Sequence, residues 1–199
     1  KYQMFRNVYW HHAVRSATAL YRRIVGEAVR VGLIEKNELV GPTDEELLYR
    51  IHERAVSSPD LNVQHIGNRW VNALRNRDLP KRACELAAPD LEGITLPEWI
   101  SVESVERRRV EDALGEELGL ASGEVMLDYP SKKKMLNLDL LVLRRGGVVE
   151  RLGEEGLRGV IDLLGVAEEL YRTSRVLRIF TFKPRIVEPE LALEIISAG

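Results

Sequence analysis

The strongest constraint in this sequence is a proline-free run near its start that has the period of an α-helix. Side chains that suit one buried face recur there every three or four residues, at Phe5, Val8, His12, Ser16, Leu20, Ile24 and Ala28. Residues at this spacing share one face of a helix, so the pattern predicts one long helix from Tyr2 to about Val31. Gly32 follows and ends it.

Two more helices are predicted before residue 88. Thr43 and Glu46 have the spacing of a capping box, which places the start of the second helix near Asp44 and its end near Val56. After a turn that contains Pro59, a third helix is expected from about Leu61 to Leu74. The sequence therefore predicts that residues 1–88 form a helical domain segment.

The chain changes character after residue 88, because strand patterns begin to alternate with helical ones. The expected elements are a helix over 102–118, strands over 124–129 and 138–143, a hairpin-like turn over 145–148, a helix over 154–171, a β-rich run over 175–182 and a short helix from Pro189. This order predicts that residues 89–199 form a small α+β C-terminal lobe with helices on one face of a sheet. The expected fold class is mainly α, followed by that lobe.

Composition excludes several classes of protein. The chain has 199 residues, 45% of them hydrophobic, and a single cysteine, Cys84, which cannot form an internal disulfide. We therefore expect a cytoplasmic protein. No apolar run reaches the ~20 residues that a membrane-spanning helix needs, so no membrane partner is expected. The sequence contains no GxxxxGK[ST], HExxH or GxSxG motif.

Charge is uneven along the chain. Residues 1–88 carry a net charge of +4 and residues 89–199 a net charge of −6, which together give the overall value of −2. The first 34 residues contain six basic side chains and one acidic side chain, Glu27. Such a segment can meet the phosphate of a nucleotide or a nucleic acid, although the charge counts alone favour a solvated helix face.

The opening segment Lys1-Tyr2-Gln3-Met4-Phe5-Arg6-Asn7-Val8-Tyr9-Trp10-His11-His12-Ala13-Val14-Arg15 resembles a helix of HD-domain phosphohydrolases. It is similar to the long helix after the metal site, in the branch that includes the deoxynucleoside triphosphate triphosphohydrolases. Residues 41–48 look like that family's Leu-Thr-Asp-x-x-Leu helix start, and residues 74–82 look like its Arg-x-Leu-x-Lys segment. Pieces of the second half are similar to its mixed terminal lobe, so the resemblance spans roughly residues 1–183.

The sequence departs from this family at the metal site. The family is named for a His…His-Asp…Asp set that holds the catalytic metal, and no His-Asp dipeptide occurs in this chain. In relatives those ligands lie upstream of the Tyr-x-His helix, so the chain looks like the C-terminal half of such an enzyme. The resemblance implies a divalent metal such as Mg, Mn or Fe bound by the missing N-terminal half, with no metal and no catalytic residue in this chain.

Two substrate-binding residues follow from the resemblance. Lys1 and Tyr9 lie two helical turns apart on one side of the predicted first helix. In the family, the matching positions contact the phosphate and the sugar of the substrate. Relatives usually carry Arg at the first position, and Lys lacks its bidentate fork. The alternative is that Tyr9 is a half-buried core ring and Lys1 a frayed end.

Five further residues are candidates for effector or phosphate contacts. By resemblance, His11, His12 and Arg15 lie near an activating-nucleotide site at a subunit contact, and Arg77 and Lys81 lie near substrate or effector phosphates. Adjacent residues of a helix point about 100° apart, so the two histidines are not expected to chelate one metal together. The alternatives are packing histidines and a solvated basic turn.

The leading hypothesis is an enzyme. The intact protein is expected to be a metal-dependent phosphohydrolase that removes triphosphate from deoxynucleoside triphosphates, with this chain inactive by itself. The expected partners are the N-terminal HD half, the nucleotide substrate and further copies in a homo-oligomer. The alternative is a nucleotide- or nucleic-acid-binding module for regulation or oligomerisation, without catalysis. The net charge of −2 and the lack of clustered aromatic residues count against nucleic acid.

Overall fold

The computed structural model of the protein describes residues 8, 10–130, 140–152, 156–157, 161–162, 165 and 175–199. Its α-helices are α1 (His12–Arg30), α2 (Asp44–Val56), α3 (Leu61–His65), α4 (Asn72–Arg75), α5 (Val105–Glu117) and α6 (Pro189–Ala198). Its strands are β1 (Lys81–Ala87), β2 (Val125–Asp128), β3 (Leu140–Leu143), β4 (Val149–Leu152), β5 (Gly156–Leu157), β6 (Ile161–Asp162) and β7 (Val176–Thr181). The predicted fold class, a mainly α segment followed by a small α+β lobe, is confirmed. Within these described residues, no helix is both long and apolar enough to cross a bilayer.

Helix α1 starts later than the sequence predicts. The backbone of His11 is extended, with φ −60° and ψ 138°, and its Nδ1 lies 3.4 Å from the backbone N–H of Ala13 in an N-cap position. The prediction of one continuous helix from Tyr2 to Val31 is therefore wrong at His11, where the extended backbone interrupts it. A capping side chain competes with the helical backbone for its hydrogen bonds, and apolar periodicity does not reveal that competition. Residues 1–7 and 9 lie outside the described residues.

The second and third predicted helices are confirmed. Helix α2 has the predicted limits, and Thr43 Oγ1 accepts a hydrogen bond of 3.3 Å from the backbone N–H of Glu46. The third predicted helix forms as three consecutive segments, which are α3, a π-helical segment over Ile66–Val71, and α4. Gly67 lies flat against α2, since a Cβ there would be 3.1–3.2 Å from atoms of that helix. This close approach requires a glycine or a shift of the two helices.

The apolar face of α1 forms the first core. Leu20, Ile24 and Ala28 are completely buried, as the helical spacing predicts. They belong to one cluster with apolar residues of α2 and of the π-helical segment, and this cluster also takes in Met126 from β2 and Phe180 from β7. The helical segment and the sheet therefore share a core.

The central sheet has three antiparallel strands in the order β1-β7-β2. Strand β1 corrects the prediction that residues 1–88 are helical throughout. Ala83, Cys84 and Leu86 of this strand are buried, whereas Lys81, Arg82 and Glu85 are exposed. A short alternation interrupted by a bulge between Arg82 and Cys84 gives a weak strand signal, and pairing with the distant β7 decides the conformation.

The predicted boundary between residues 88 and 89 stays a prediction. Strand β1 lies before it and pairs with β7, which lies well after it. The sheet therefore joins residues from both predicted segments.

Helices α5 and α6 cover the face of the sheet opposite α1. Leu127 and Ile179 pack with Leu114 of α5 and Ile196 of α6 in a second core, whereas Met126 and Phe180 belong to the first. Successive strand residues point to opposite faces, so one sheet can close both cores. The two helices of the lobe thus lie on one face of the sheet, as expected, and α1 from the first predicted segment covers the other face.

Predictions for the rest of the lobe are partly confirmed. Helix α5, strands β2, β3 and β7, and helix α6 form within a few residues of their predicted limits. The predicted turn joins β3 to β4, with Gly146 and Gly147 at φ 101° and 82°. The helix predicted over 154–171 is wrong where the structure describes it as strand, because β5 and β6 pair there. Its three glycines reduce helix propensity.

Candidate functional site

The first turns of α1 lie beside the start of β1. Ser16 Oγ donates a hydrogen bond of 2.6 Å to the backbone oxygen of Pro80, the residue before β1. Both groups are buried, so this bond fixes the helix on the sheet at that point. Around it lie His11, His12, Lys81, Arg82 and Arg178, which we call the basic site.

The two histidines of the basic site are in contact. Their ring centroids are 4.2 Å apart with an interplanar angle of 38°, and both side chains are exposed. The extended backbone at His11 permits this approach, which two helical neighbours would not make. Burial lowers the pKa of His12, and the nearby charges of His11, Arg82 and Arg178 lower it further. His12 is therefore mainly neutral at pH 7 and can both donate and accept a hydrogen bond.

A carboxylate is shared by two arginines in the basic site. Glu85 Oε2 accepts hydrogen bonds of 2.8 Å from Arg82 Nη1 and 2.9 Å from Arg178 Nε. Burial raises the pKa of Glu85, but the bonds from the two guanidinium groups outweigh it, so the pKa lies below its ordinary value. One positive charge is left over, and Arg178 Nη1 makes no hydrogen bond within the part of the chain that the structure describes. The net positive charge of the site suits an anion.

Arg15, a predicted phosphate contact, lies inside the protein. Its Nε donates a 2.7 Å hydrogen bond to Asp128 Oδ2, and its Nη2 donates to the other carboxylate oxygen. The Asp128 side chain is completely buried at the end of β2. Arg15 therefore braces α1 against β2 and does not present its charge to solvent. In the sequence, Asp128 stands out as an acid at the end of an otherwise apolar strand. This indicates a buried carboxylate that needs a partner, but the sequence does not identify Arg15 as that partner.

The other predicted site residues are distributed as follows. Lys81 is exposed at the start of β1, one residue from the Ser16–Pro80 contact, and so belongs to the basic site. Arg77 is exposed in the turn after α4, where its φ of 58° is left-handed. Lys1 and Tyr9 lie outside the described residues. The structure thus brings His11 and His12 together and places the backbone of Lys81 next to the Ser16–Pro80 contact, with Arg77 earlier in the turn.

The sequence did not predict a row of ion pairs along the polar face of α1. Beyond Arg15, Arg23 pairs with Glu111 of α5, and Glu27 lies 2.9 Å from Arg108. Arg15, Arg23 and Glu27 are all buried. Arg15 and Arg23 therefore pair with residues of the C-terminal lobe and do not face solvent. This corrects the interpretation that the basic segment as a whole faces an anionic substrate.

Glu111 anchors this row from the lobe. It accepts hydrogen bonds from Arg107 Nε at 3.1 Å and from the backbone N–H of Leu127 at 2.8 Å, in addition to its contact with Arg23. A carboxylate so fully paired can remain ionised while buried. It connects α1, α5 and β2 at one point.

Metal-ligating side chains do not cluster in the part of the chain that the structure describes. In residues 10–130 and the other described parts, no group of three or more His, Cys, Asp or Glu side chains could hold a metal ion. The donors present at the basic site are imidazole, ammonium and guanidinium groups around one paired carboxylate. This donor set suits oxyanions and does not fit a divalent cation.

Fold and site define an α-rich region that is braced on a small sheet and carries an exposed basic surface. The family model described as the HD associated region matches residues 1–171, and the chain belongs to that family. Membership confirms the predicted association with HD-domain proteins. Neither the curated proteins nor the solved structures gave a match.

Proposed function

We propose that this chain is the substrate-binding and C-terminal part of a metal-dependent HD-domain phosphohydrolase. Its reaction would convert a deoxynucleoside triphosphate to a deoxynucleoside and triphosphate. The observation that carries the proposal is the match of residues 1–171 to the HD associated region. The choice of nucleotide rests on the resemblance of the opening helix and of residues 74–82 to the triphosphohydrolase branch.

The basic site supports a role in binding phosphate. Lys81 and Arg82 are exposed at the start of β1, and the guanidinium of Arg178 is directed to the same carboxylate as that of Arg82. Cationic side chains around a neutral imidazole suit the oxygens of a nucleotide phosphate. We propose that His11, His12 and Lys81, with Arg77 nearby, contact an effector or substrate phosphate here.

The remaining roles are divided between this chain and an HD domain. The HD domain, as the N-terminal half of the same protein, would hold a divalent metal that activates water and polarises phosphorus. Lys1 would contact substrate phosphate and Tyr9 the sugar. Arg15 would act through Asp128, keeping α1 in position. The complete protein would form a homo-oligomer.

The experiment compares this chain alone with the complete protein that includes the HD domain. Release of triphosphate from each deoxynucleoside triphosphate is measured with Mg²⁺ or Mn²⁺. We expect no turnover by the chain alone and turnover by the complete protein. Turnover by the chain alone would overturn the division of labour. Nucleotide binding without turnover by the complete protein would favour the regulatory-module alternative.

Variants of the basic site then test its role in the complete protein. His12→Gln and Lys81→Gln should weaken nucleotide binding or activation, whereas the matched control Arg109→Gln, on exposed α5 surface, should not. Equal nucleotide affinity in all three variants would contradict the assignment of the basic site. Binding of single-stranded DNA that weakens steeply with salt would indicate nucleic acid instead.

A further inference from the structure

A second site lies at the other end of α1. A cavity of about 720 Å³ opens between the last turns of α1, the start of α3, the first turns of α5 and the loop before β2. Its wall includes Arg30, Asn62, His65, Trp70, Arg108 and Ser122. Cavities of roughly 300–1,000 Å³ hold small organic molecules. His12 and Arg30 are the two ends of α1, so the cavity is about 27 Å from the basic site along the helix.

Two guanidinium groups in this cavity share one carboxylate. Glu27 Oε2 is 2.6 Å from Arg30 Nη2, and Glu27 Oε1 is 2.9 Å from Arg108 Nε. The second contact is an ion pair without the geometry of a hydrogen bond. One carboxylate cannot satisfy two guanidinium groups, so donors of Arg30 and Arg108 are left for an oxyanion.

The same wall contains carboxylates that suit the opposite end of a ligand. Asp60 accepts a 2.8 Å bond from the backbone N–H of Asn62, and Asp112 accepts one of 2.8 Å from Ser122 Oγ. Each carboxylate has lone pairs beyond these bonds. With Arg23 paired to Glu111, the two arginines and three carboxylates that remain give the wall a formal charge of −1, divided into cationic and anionic parts. It matches a dipolar molecule better than a simple anion.

Two buried polar atoms of the wall have no hydrogen-bond partner among the described residues. They are the indole Nε1 of Trp70, a donor on a side chain that is 6% exposed, and Glu27 Oε1, an acceptor on a side chain that is 7% exposed. Buried polar atoms without a hydrogen bond are rare in folded proteins and call for a partner. A ligand that carries both an acceptor and an N–H donor would satisfy them.

The ring of Trp70 is held in place before any ligand arrives. His65 packs on it edge to face, with ring centroids 5.4 Å apart. On the other side Gly123 approaches so closely that a Cβ there would be 2.7 Å from Trp70 Cζ2. A fixed aromatic wall favours a planar or apolar ligand group beside it.

We propose that this cavity binds a small dipolar ligand in which a planar ring with N–H donors carries an oxyanion. The oxyanion lies between Arg30 and Arg108, and the ring lies against Trp70 with its donors towards Glu27 and the two aspartates. A nucleoside monophosphate with an amino-substituted base and the amino acid tryptophan, whose indole carries an N–H, both have this chemistry. The first carries a phosphate and the second a carboxylate.

Isothermal titration calorimetry of the full chain tests the proposal. The probes are adenosine monophosphate, tryptophan, inorganic phosphate and adenosine. We expect saturable one-site binding of adenosine monophosphate or of tryptophan, with adenosine and inorganic phosphate at least tenfold weaker. Binding of neither dipolar probe, or binding of inorganic phosphate as tight as that of adenosine monophosphate, would overturn the proposal.

Variants locate the binding. Arg30→Gln and Arg108→Gln should each weaken binding about tenfold, Trp70→Phe should weaken it by removing the N–H, and Arg109→Gln should leave it unchanged. Arg30 is more than half exposed, so its variant stays informative if Arg108→Gln fails to fold. Loss of binding in His12→Gln but not in Arg30→Gln would place the ligand at the basic site and refute the cavity. These binding measurements need no turnover, so the cavity proposal can fail while the proposed phosphohydrolase function stands, and the reverse.

Discussion

Replacing Asp128 with Asn tests whether its pair with Arg15 holds α1 on the sheet. The Asp128 side chain is completely buried and that of Arg15 is 10% exposed, and the two share both carboxylate oxygens. Removing one partner of a buried pair costs roughly 3–5 kcal/mol, because the other charge stays buried. Asn keeps one acceptor for the guanidinium, so we expect a loss of about 3 kcal/mol in the free energy of unfolding.

Urea and thermal unfolding measure this loss. For a chain of this size, about 1 kcal/mol corresponds to ~2–4 °C, so the Tm of Asp128→Asn should fall by about 6–12 °C. The control is Glu46→Gln, which removes an exposed pair between Glu46 and Arg50 on α2. That pair should contribute only about 0.3–0.5 kcal/mol.

A double-mutant cycle separates the pair from other effects of the substitution. Arg15→Gln combined with Asp128→Asn should cost less than the sum of the single variants by at least ~1 kcal/mol, since the two side chains are in direct contact. The reasoning is refuted if Asp128→Asn is no more costly than Glu46→Gln, or if the single variants add to within ~0.5 kcal/mol.

Three more predictions concern single side chains. Gly123→Ala should lower the Tm, because a Cβ would be 2.7 Å from Trp70 and φ is +79°, at a cost of roughly 1–3 kcal/mol; an unchanged Tm contradicts this packing. Burial and a hydrogen bond raise the pKa of Tyr21 to about 12, so the stability that depends on its neutral form is present below pH 10 and lost as the pH rises towards 12. Ultraviolet titration should show one late phenolate that Tyr21→Phe removes. Burial and neighbouring cations lower the pKa of His12, so Arg82→Gln should raise the pH midpoint of the His12 titration measured by NMR. An unchanged midpoint would show that the charge of Arg82 does not act on His12.

Local signals in the sequence were sufficient for most helices. Helix α2 has the predicted limits because Thr43 supplies its N-cap and the acidic first turn suits the helix dipole. The apolar spacing along α1 correctly identified Leu20, Ile24 and Ala28 as core residues. In each case the deciding interactions lie within a few residues along the chain.

The candidate site was only partly predictable. The resemblance of residues 74–82 to an HD-family segment selected Lys81, which follows Pro80, the residue that accepts a hydrogen bond from Ser16 of α1. Arg178 and Glu85, which complete the basic site, lie in strands whose sequence gives no functional signal. They reach the site because β1 and β7 pair, with Glu85 opposite Arg178.

The sequence by itself determined the α-rich fold class, the position of α2 and the association with HD-domain proteins. Only the tertiary structure decided that residues 81–87 form a strand and that the charged face of α1 is buried. The physical reason is distance along the chain: Arg15 meets Asp128 across 113 residues, and Arg23 meets Glu111 across 88. Helical period and caps are short-range properties, whereas a charge becomes a brace or a binding group according to the partner that folding brings to it.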